Sequence, residues 1–353
     1  MRLLTLPPIR LRRHLEFKRV ESEDMKKIFL AITALMTCMG MQAQETIEVS
    51  VAFNGATATV SIPQSADQYV SCTSGESSHV VLVQSELVGA DTSGEIVYTL
   101  SGTTDDGGFT LEGIYKATIE LNNLTLTNPS GAALNIQDGK RIKIEVKKGT
   151  ENTLEDGKNS DTNGCIHCEG HLEFKKTGTL NIVGNNKHAV YSKEYLQIAK
   201  PTINITKSKK DGFHCKQYFW MEDACNVTLS GIGDDGIQVE LVEDEAYTGT
   251  LPDHEDTELD IDENSGYFYQ DNGTLTIGEC GGKPIKADGK VVFNGGTQNF
   301  DTTAVSEDNN PSTGISTLRK NIVNSEAVYD LNGRQLKNNQ KGVVIQNGKK
   351  MIK

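Results

Sequence analysis

From Cys165 to Glu240 the chain repeats one short phrase of alternating apolar and polar positions: Cys165-Ile166-His167-Cys168-Glu169, Ala189-Val190-Tyr191-Ser192-Lys193, Gly212-Phe213-His214-Cys215-Lys216 and Gly236-Ile237-Gln238-Val239-Glu240. The apolar second position falls at Ile166, Val190, Phe213 and Ile237, so the steps are 24, 23 and 24 residues. A second apolar pair keeps the same interval: Leu180 and Ile182, Ile203 and Ile205, Val227 and Leu229. Alternation within each phrase is strand periodicity; a helix would place its apolar residues three and four apart. A fixed interval of this size predicts a solenoid, in which each unit buries its apolar face only against its neighbours. The expected fold is all-β, a right-handed parallel β-helix of about 23–24 residues per coil with two strands in each. Leu134 and Ile136 lie 32 residues before Ile166 and Cys168, which is one coil plus an eight-residue loop. Ile285 and Ala287 lie 48 residues after Ile237 and Val239, which is two periods.

The flanks lack this interval. Residues 1–24 read as the product of an upstream start codon. Residues 25–43 read as a signal peptide, with Met25-Lys26-Lys27, an apolar run from Ile28 to Met36 and the small residue Ala43 near the expected cleavage point. That run is too short to span a bilayer. Residues 44–110 contain strand-like stretches at Thr46 to Val51, Ala58 to Ile62, Val80 to Val83 and Ile96 to Leu100, expected to form a short β cap on the solenoid's first coil. The β-helix is expected over 111–300, a Ser-, Thr-, Asn- and Gly-containing linker over 301–318, and a small C-terminal β tail over 319–353.

Composition narrows the choice of partners. A single Trp and few aromatics suit a narrow β-helix interior. The formal net charge of −13 is unevenly spread. Residues 1–43 carry eight basic and four acidic side chains and 319–353 carry eight and two, which leaves 19 basic and 42 acidic for residues 44–318. Such a body repels nucleic acid and anionic membranes, and an anionic ligand needs a cation between it and the protein. Ten of the acidic residues fall between Glu243 and Glu263 with no Lys or Arg among them, a solvated loop or a calcium-binding one.

Two thiols and two imidazoles lie within Cys165–His171, but strand alternation sends Cys168 inward and His167 outward, so they do not converge on one ion. Cys168 and Cys215 share an interior column with Ser192 between them, a gap of roughly 9.6 Å at about 4.8 Å per strand, beyond disulfide reach. The outward column reads Asn135, His167, Tyr191, His214, Gln238. His167, Tyr191, His214 and Gln238 offer either a platform for sugar rings or a stacked ladder that stabilises the sheet face. Beside it, Glu169, Lys193, Lys216 and Glu240 form a column suited to salt bridges; two adjacent Lys would also depress each other's pKa, the condition for a base. Asp211-Gly212 and Asp235-Gly236 are 24 residues apart, so Asp211 is expected next to Asp235 with Asp234 beside them. Either Lys209 and Lys210 or a calcium ion must neutralise these carboxylates.

The phrases Lys210-Asp211-Gly212-Phe213-His214, Asp234 to Val239 and Leu121 to Thr127 resemble a family of secreted bacterial carbohydrate-binding β-helix proteins, similar in fold to pectate lyases. The resemblance covers residues 94–300 and implies binding of calcium (Ca2+) and acidic polysaccharides such as polygalacturonate, a pectin component. It makes Asp211, Asp234 and Asp235 the calcium candidates. The tail, with Tyr329-Asp330-Leu331-Asn332-Gly333-Arg334 and Asn347-Gly348-Lys349-Lys350, resembles type IX secretion sorting signals and implies contact with outer-membrane secretion machinery. The expected function is non-catalytic, calcium-dependent binding of an acidic polysaccharide by a secreted or cell-surface protein, with no nucleic-acid partner and no transmembrane segment in the mature chain. One alternative is a uronate polysaccharide lyase acting by β-elimination, with Lys193 or Lys216 as base. A second is a structural surface adhesin.

Overall fold

The computed structural model describes residues 46–89, 94–241 and 265–307, with the strand segments Val328–Tyr329, Gln335–Leu336, Val343–Gln346 and Lys349–Ile352. The expected leader and signal peptide, the acidic run 243–263 and most of the linker lie outside the described residues.

Between Ala117 and Asn299 the chain winds as a parallel β-solenoid with three strand columns. The first column stacks Leu134–Gln137, Gly164–Cys168, His188–Ser192, Phe213–Lys216, Ile237–Glu240 and Ile285–Ala287, each parallel to the next. The second stacks Ile142–Val146, Leu172–Lys175, Leu196–Ile198, Tyr218–Met221, Tyr267–Gln270 and Val291–Phe293. The third stacks Glu151–Asp156, Thr179–Gly184, Thr202–Ser208, Asn226–Leu229, Thr274–Ile277 and Thr297–Asn299. The long strand Ala117–Asn128 serves both the second and third columns, pairing with Ile142–Val146 and with Glu151–Asp156.

The interval in the sequence is the stacking register. Ile166 pairs with Val190, Val190 with Phe213 and Phe213 with Ile237, so apolar side chains of equal position pile on one another inside. Each is fully buried, and burying a side chain of this size contributes roughly 1.5–3 kcal/mol. The next interior position carries Cys168, Ser192 and Cys215. Ser192 is a buried hydroxyl in an apolar column; its Oγ lies 2.8 Å from the Gly170 carbonyl and 3.0 Å from that of Tyr195, so it is satisfied at the corner. The six described cysteines are free thiols. In the third and fourth phrases the position before the apolar residue is pressed by the next turn's backbone: a Cβ at Gly212 would stand 2.7 Å from the Gly236 carbonyl, and one at Gly236 would collide with the Pro284 carbonyl.

Three expectations change. Each coil has three strands rather than two. Leu172–Lys175 follows Gly164–Cys168 after a corner of only three residues, so the two short strands read as one phrase. The 48-residue step from Ile237 to Ile285 is one turn and not two, because those residues pair directly; the acidic run accounts for the extra length. The solenoid also extends into the segment expected as a cap. Ile96–Thr104 pairs in parallel with Ala117–Asn128, and His79–Gln84 with Gly108–Glu112. The hairpin Glu48–Asn54/Thr57–Ser61, the strand Val70–Cys72 and a bridge from Thr57 to Ser77 bring antiparallel pairing to this end. Val80 pairs with Phe109 and Phe109 with Leu134, steps of 29 and 25 residues by number, and this irregular loop length hides the repeat.

Residues 328–352 contribute a separate four-strand antiparallel sheet. Among the described residues no helix is long and apolar enough to cross a membrane.

Candidate functional site

Strand alternation sets Asn135, His167, Tyr191, His214, Gln238 and Lys286 in one outward row of the first column, each paired with the next. The rings lie face to face along the solenoid axis. His167 and Tyr191 stack at 5.3 Å between centroids and 9° between planes, Tyr191 and His214 at 5.5 Å and 22°. Stacking occupies the faces, so the row turns ring edges outward, the opposite of what a platform for sugar faces requires.

Most polar atoms of the row already have partners. His167 Nδ1 accepts from the Asn163 amide at 3.4 Å, so its proton sits on Nε2, 2.9 Å from Glu169. Burial lowers its pKa despite Glu169. Gln238 Nε2 donates to Glu240 at 2.9 Å. Tyr191 is the half-buried ring of the stack, and burial raises its phenol pKa. The arrangement matches the stacked-ladder reading of this column.

In the neighbouring row, Lys193 Nζ meets Glu169 Oε2 at 2.8 Å. The hydrogen bond it donates to Glu169 raises the Lys193 pKa. A base that removes a proton at neutral pH needs the reverse. Lys216 pairs in register with Glu240, whose Oε2 lies 3.5 Å from His214 Nε2.

The carboxylates at the row's edge are drawn together. One ligand oxygen each from Asp211, Asp234 and Asp235 lies within 4.8 Å of the others. Asp211 is 1% exposed and Asp235 4%, whereas Asp234 faces solvent. Asp211 Oδ1 accepts from the Asp235 amide at 3.0 Å, and Asp235 Oδ1 from the Lys283 amide at 2.6 Å. Burial pushes the Asp235 pKa up, and the Asp211 and Asp234 charges add to this. Lys286 Nζ, 3.7 Å from Asp235 Oδ2, opposes it. A Cβ at Gly282 would collide with Asp235 Oδ1, so the following turn closes tightly over this carboxylate. Three carboxylates from two consecutive turns, one of them open to water, fit a hard divalent cation that completes its shell from outside.

The groups that meet Asp211 are two imidazoles, not Lys209 or Lys210, the alternative to calcium. His214 Nδ1 hydrogen-bonds Asp211 Oδ2 at 2.9 Å, and His188 Nδ1 lies 3.0 Å from the same oxygen. The His188 contact is a close ion-pair contact that lacks the alignment of the His214 hydrogen bond. Burial opposes ionisation of Asp211, but the two imidazoles outweigh it and hold the carboxyl well below the usual range. Burial also lowers the His188 pKa, whereas His214, with Asp211 on one side and Glu240 on the other, is raised against the effect of burial. His188 was open to discovery from the interval alone: it precedes Ala189 as Asp211 precedes Gly212, and so stacks beside it.

The family described as "Carbohydrate-binding domain-containing protein" matches residues 86–353. A protein of the same description from Acetivibrio thermocellus is 26% identical over 119 residues, 31% of this chain and 42% of that relative. The chain thus spans less than half the length of the curated relative it matches. A solved structure of the polysaccharide lyase-like protein from C. thermocellum, a gadolinium derivative, is similar over 74% of this chain and 100% of that one, at 18% identity and a TM-score of 0.49.

Proposed function

The chain belongs to the family of carbohydrate-binding domain-containing proteins, and from that premise we propose that it binds an acidic polysaccharide of the polygalacturonate type through calcium, without cleaving it. The observation that carries this reading is the Asp211, Asp234 and Asp235 cluster, whose oxygens converge within 4.8 Å on a strongly acidic body. A polyanion approaching such a body is repelled unless a cation lies between them. The cluster leaves Asp234 open to solvent, so a bound cation keeps coordination positions for uronate carboxylates and water. The signal-like residues 25–43 and the sorting-like tail support a secreted or surface-exposed location, where such glycans are met. The Lys193–Glu169 ion pair argues against Lys193 as the base of a lyase.

The test is titration of the full chain with polygalacturonate, with calcium and with a chelator, while absorbance of unsaturated uronate is followed. Binding that needs calcium and produces no absorbance rise is the expected result. A rise abolished by Lys193→Ala or Lys216→Ala would replace this reading with the lyase. No binding in either condition would leave a structural adhesin.

A further inference from the structure

We infer that His188, Asp211 and His214 form a site for one divalent transition-metal ion of the zinc class, held between two consecutive turns of the solenoid. The inference stands apart from the glycan reading and shares only Asp211 with it.

The donor atoms are in place. His188 Nδ1 and His214 Nδ1 stand 3.0 and 2.9 Å from Asp211 Oδ2, and one ligand atom from each residue lies within 4.8 Å of the others. In a tetrahedral site with ligands about 2.0–2.1 Å from the ion, neighbouring ligand atoms are about 3.3 Å apart, so a shift of a few tenths of an ångström admits the ion. The two imidazole rings are 4.3 Å apart between centroids, close enough for both Nδ1 atoms to face one point. All three residues are buried, with His188 and His214 each 8% exposed.

Two independent features point to a ligand here. Both Nδ1 atoms crowd the single oxygen Asp211 Oδ2, so the 3.0 Å contact of His188 is an ion-pair contact and not a well-aligned hydrogen bond, as expected of donors arranged to share an ion. The second is the surroundings of His214. Its other nitrogen, Nε2, lies 3.5 Å from Glu240 Oε2, and Gln238 holds Glu240 in turn at 2.9 Å. A carboxylate on the far nitrogen of a ligating histidine is the usual outer shell of a metal site, since it fixes ring orientation and strengthens the nitrogen as a donor. Glu240 is therefore a positioning residue.

The donor set decides the ion. Two imidazoles and one carboxylate suit zinc, nickel, copper or iron, whereas calcium and magnesium favour oxygen throughout. The ion would tie the His188–Ser192 turn to the Phe213–Lys216 turn and keep one position for water or a ligand oxygen.

The experiment uses the full chain stripped of metal with a chelator and titrated with cobalt(II) as a coloured probe, then with zinc. The expected result is one equivalent of cobalt with visible d–d bands, displaced by zinc and retained in a large excess of calcium. His188→Ala should abolish tight zinc binding, and Glu240→Gln should weaken it about 10- to 100-fold. Asp234→Asn should leave zinc binding intact while weakening calcium binding about tenfold, so the two sites fail separately. Absence of cobalt binding by the wild-type chain, or unchanged zinc affinity in a folded His188→Ala variant, would overturn the inference. Should that variant not fold, the X-ray absorption spectrum of the wild-type zinc form decides: two imidazoles in the first shell support the site, and an all-oxygen shell refutes it.

Discussion

The Asp235 amide donates to Asp211 Oδ1 at 3.0 Å, so the same position of two successive turns is joined through a buried carboxylate. Asp211 Oδ2 also accepts from His214. Asp211→Ala leaves both donors buried and unmatched, and each such group costs about 1–3 kcal/mol. A loss near 3 kcal/mol in urea unfolding is expected. Asp211→Asn keeps an acceptor for the Asp235 amide and should cost less. Equal, small losses in the two variants would show that the carboxylate does not tie the turns.

Calcium affinity should move in opposite directions on the two sides of the cluster. Asp234→Asn removes an exposed ligand charge and should weaken calcium binding about tenfold, equivalent to about 1.4 kcal/mol. Lys286→Ala removes an ammonium 3.7 Å from Asp235 Oδ2 and should tighten it about two- to fivefold, the scale of an exposed ion pair. Calorimetric titration measures both. Tighter binding in Asp234→Asn, or weaker in Lys286→Ala, would place the ion elsewhere.

The first column was legible in the sequence because from His167 to Gln238 its turns differ by a single residue in length, so His167, Tyr191, His214 and Gln238 fall into register by counting alone, and Asn135 joins them once an eight-residue loop is allowed for. The second column was not. Its outward residues include Tyr218 and Trp220, which are as buried as the core, so strand alternation is masked by an unbroken apolar run from Tyr218 to Met221. The stacking of Asp211 on Asp235 could be counted, but its electrostatic solution could not be ranked: Lys209 and Lys210 are adjacent in sequence, whereas His188 is adjacent only through the turn. Ring orientation was also beyond the pattern, since alternation says that a side chain points outward and not whether it offers a face or an edge.

Interior aromatics give a direct test of the stacking register. Phe219 meets Phe213 edge-on at 5.4 Å and stacks on Phe268 at 5.4 Å, bridging the first and second columns and two successive turns of the second. Phe219→Ala should destabilise by about 3–5 kcal/mol through lost burial and a residual cavity. Phe219→Leu should cost clearly less. Similar losses for the two would mean that the ring is not packed as a core side chain.

Asp156, at the end of the third-column strand Glu151–Asp156, should make stability fall as the solution becomes more alkaline. It is 2% exposed, its Oδ2 has no hydrogen-bond partner, and only Oδ1 accepts from the Asn185 amide. Burial raises its pKa to about 6 from an unfolded value of 3.8. The folded state therefore holds the proton more tightly than the unfolded one. Its stabilising contribution is complete below the unfolded value and is lost as pH rises through about 6. A shift of this size corresponds to at most about 3 kcal/mol, and solvent relaxation around the carboxylate reduces this to about 1–2 kcal/mol. Asp156→Asn keeps the shape and the acceptor for Asn185 without the charge. It should stabilise the protein by about 1–2 kcal/mol at about pH 8 and by nothing measurable at about pH 3. Comparing the two chains removes the contribution of every other titrating group, because only the difference in their unfolding free energies is read. A difference that stays constant between those pH values would mean that Asp156 is ionised in both states, with its second oxygen solvated.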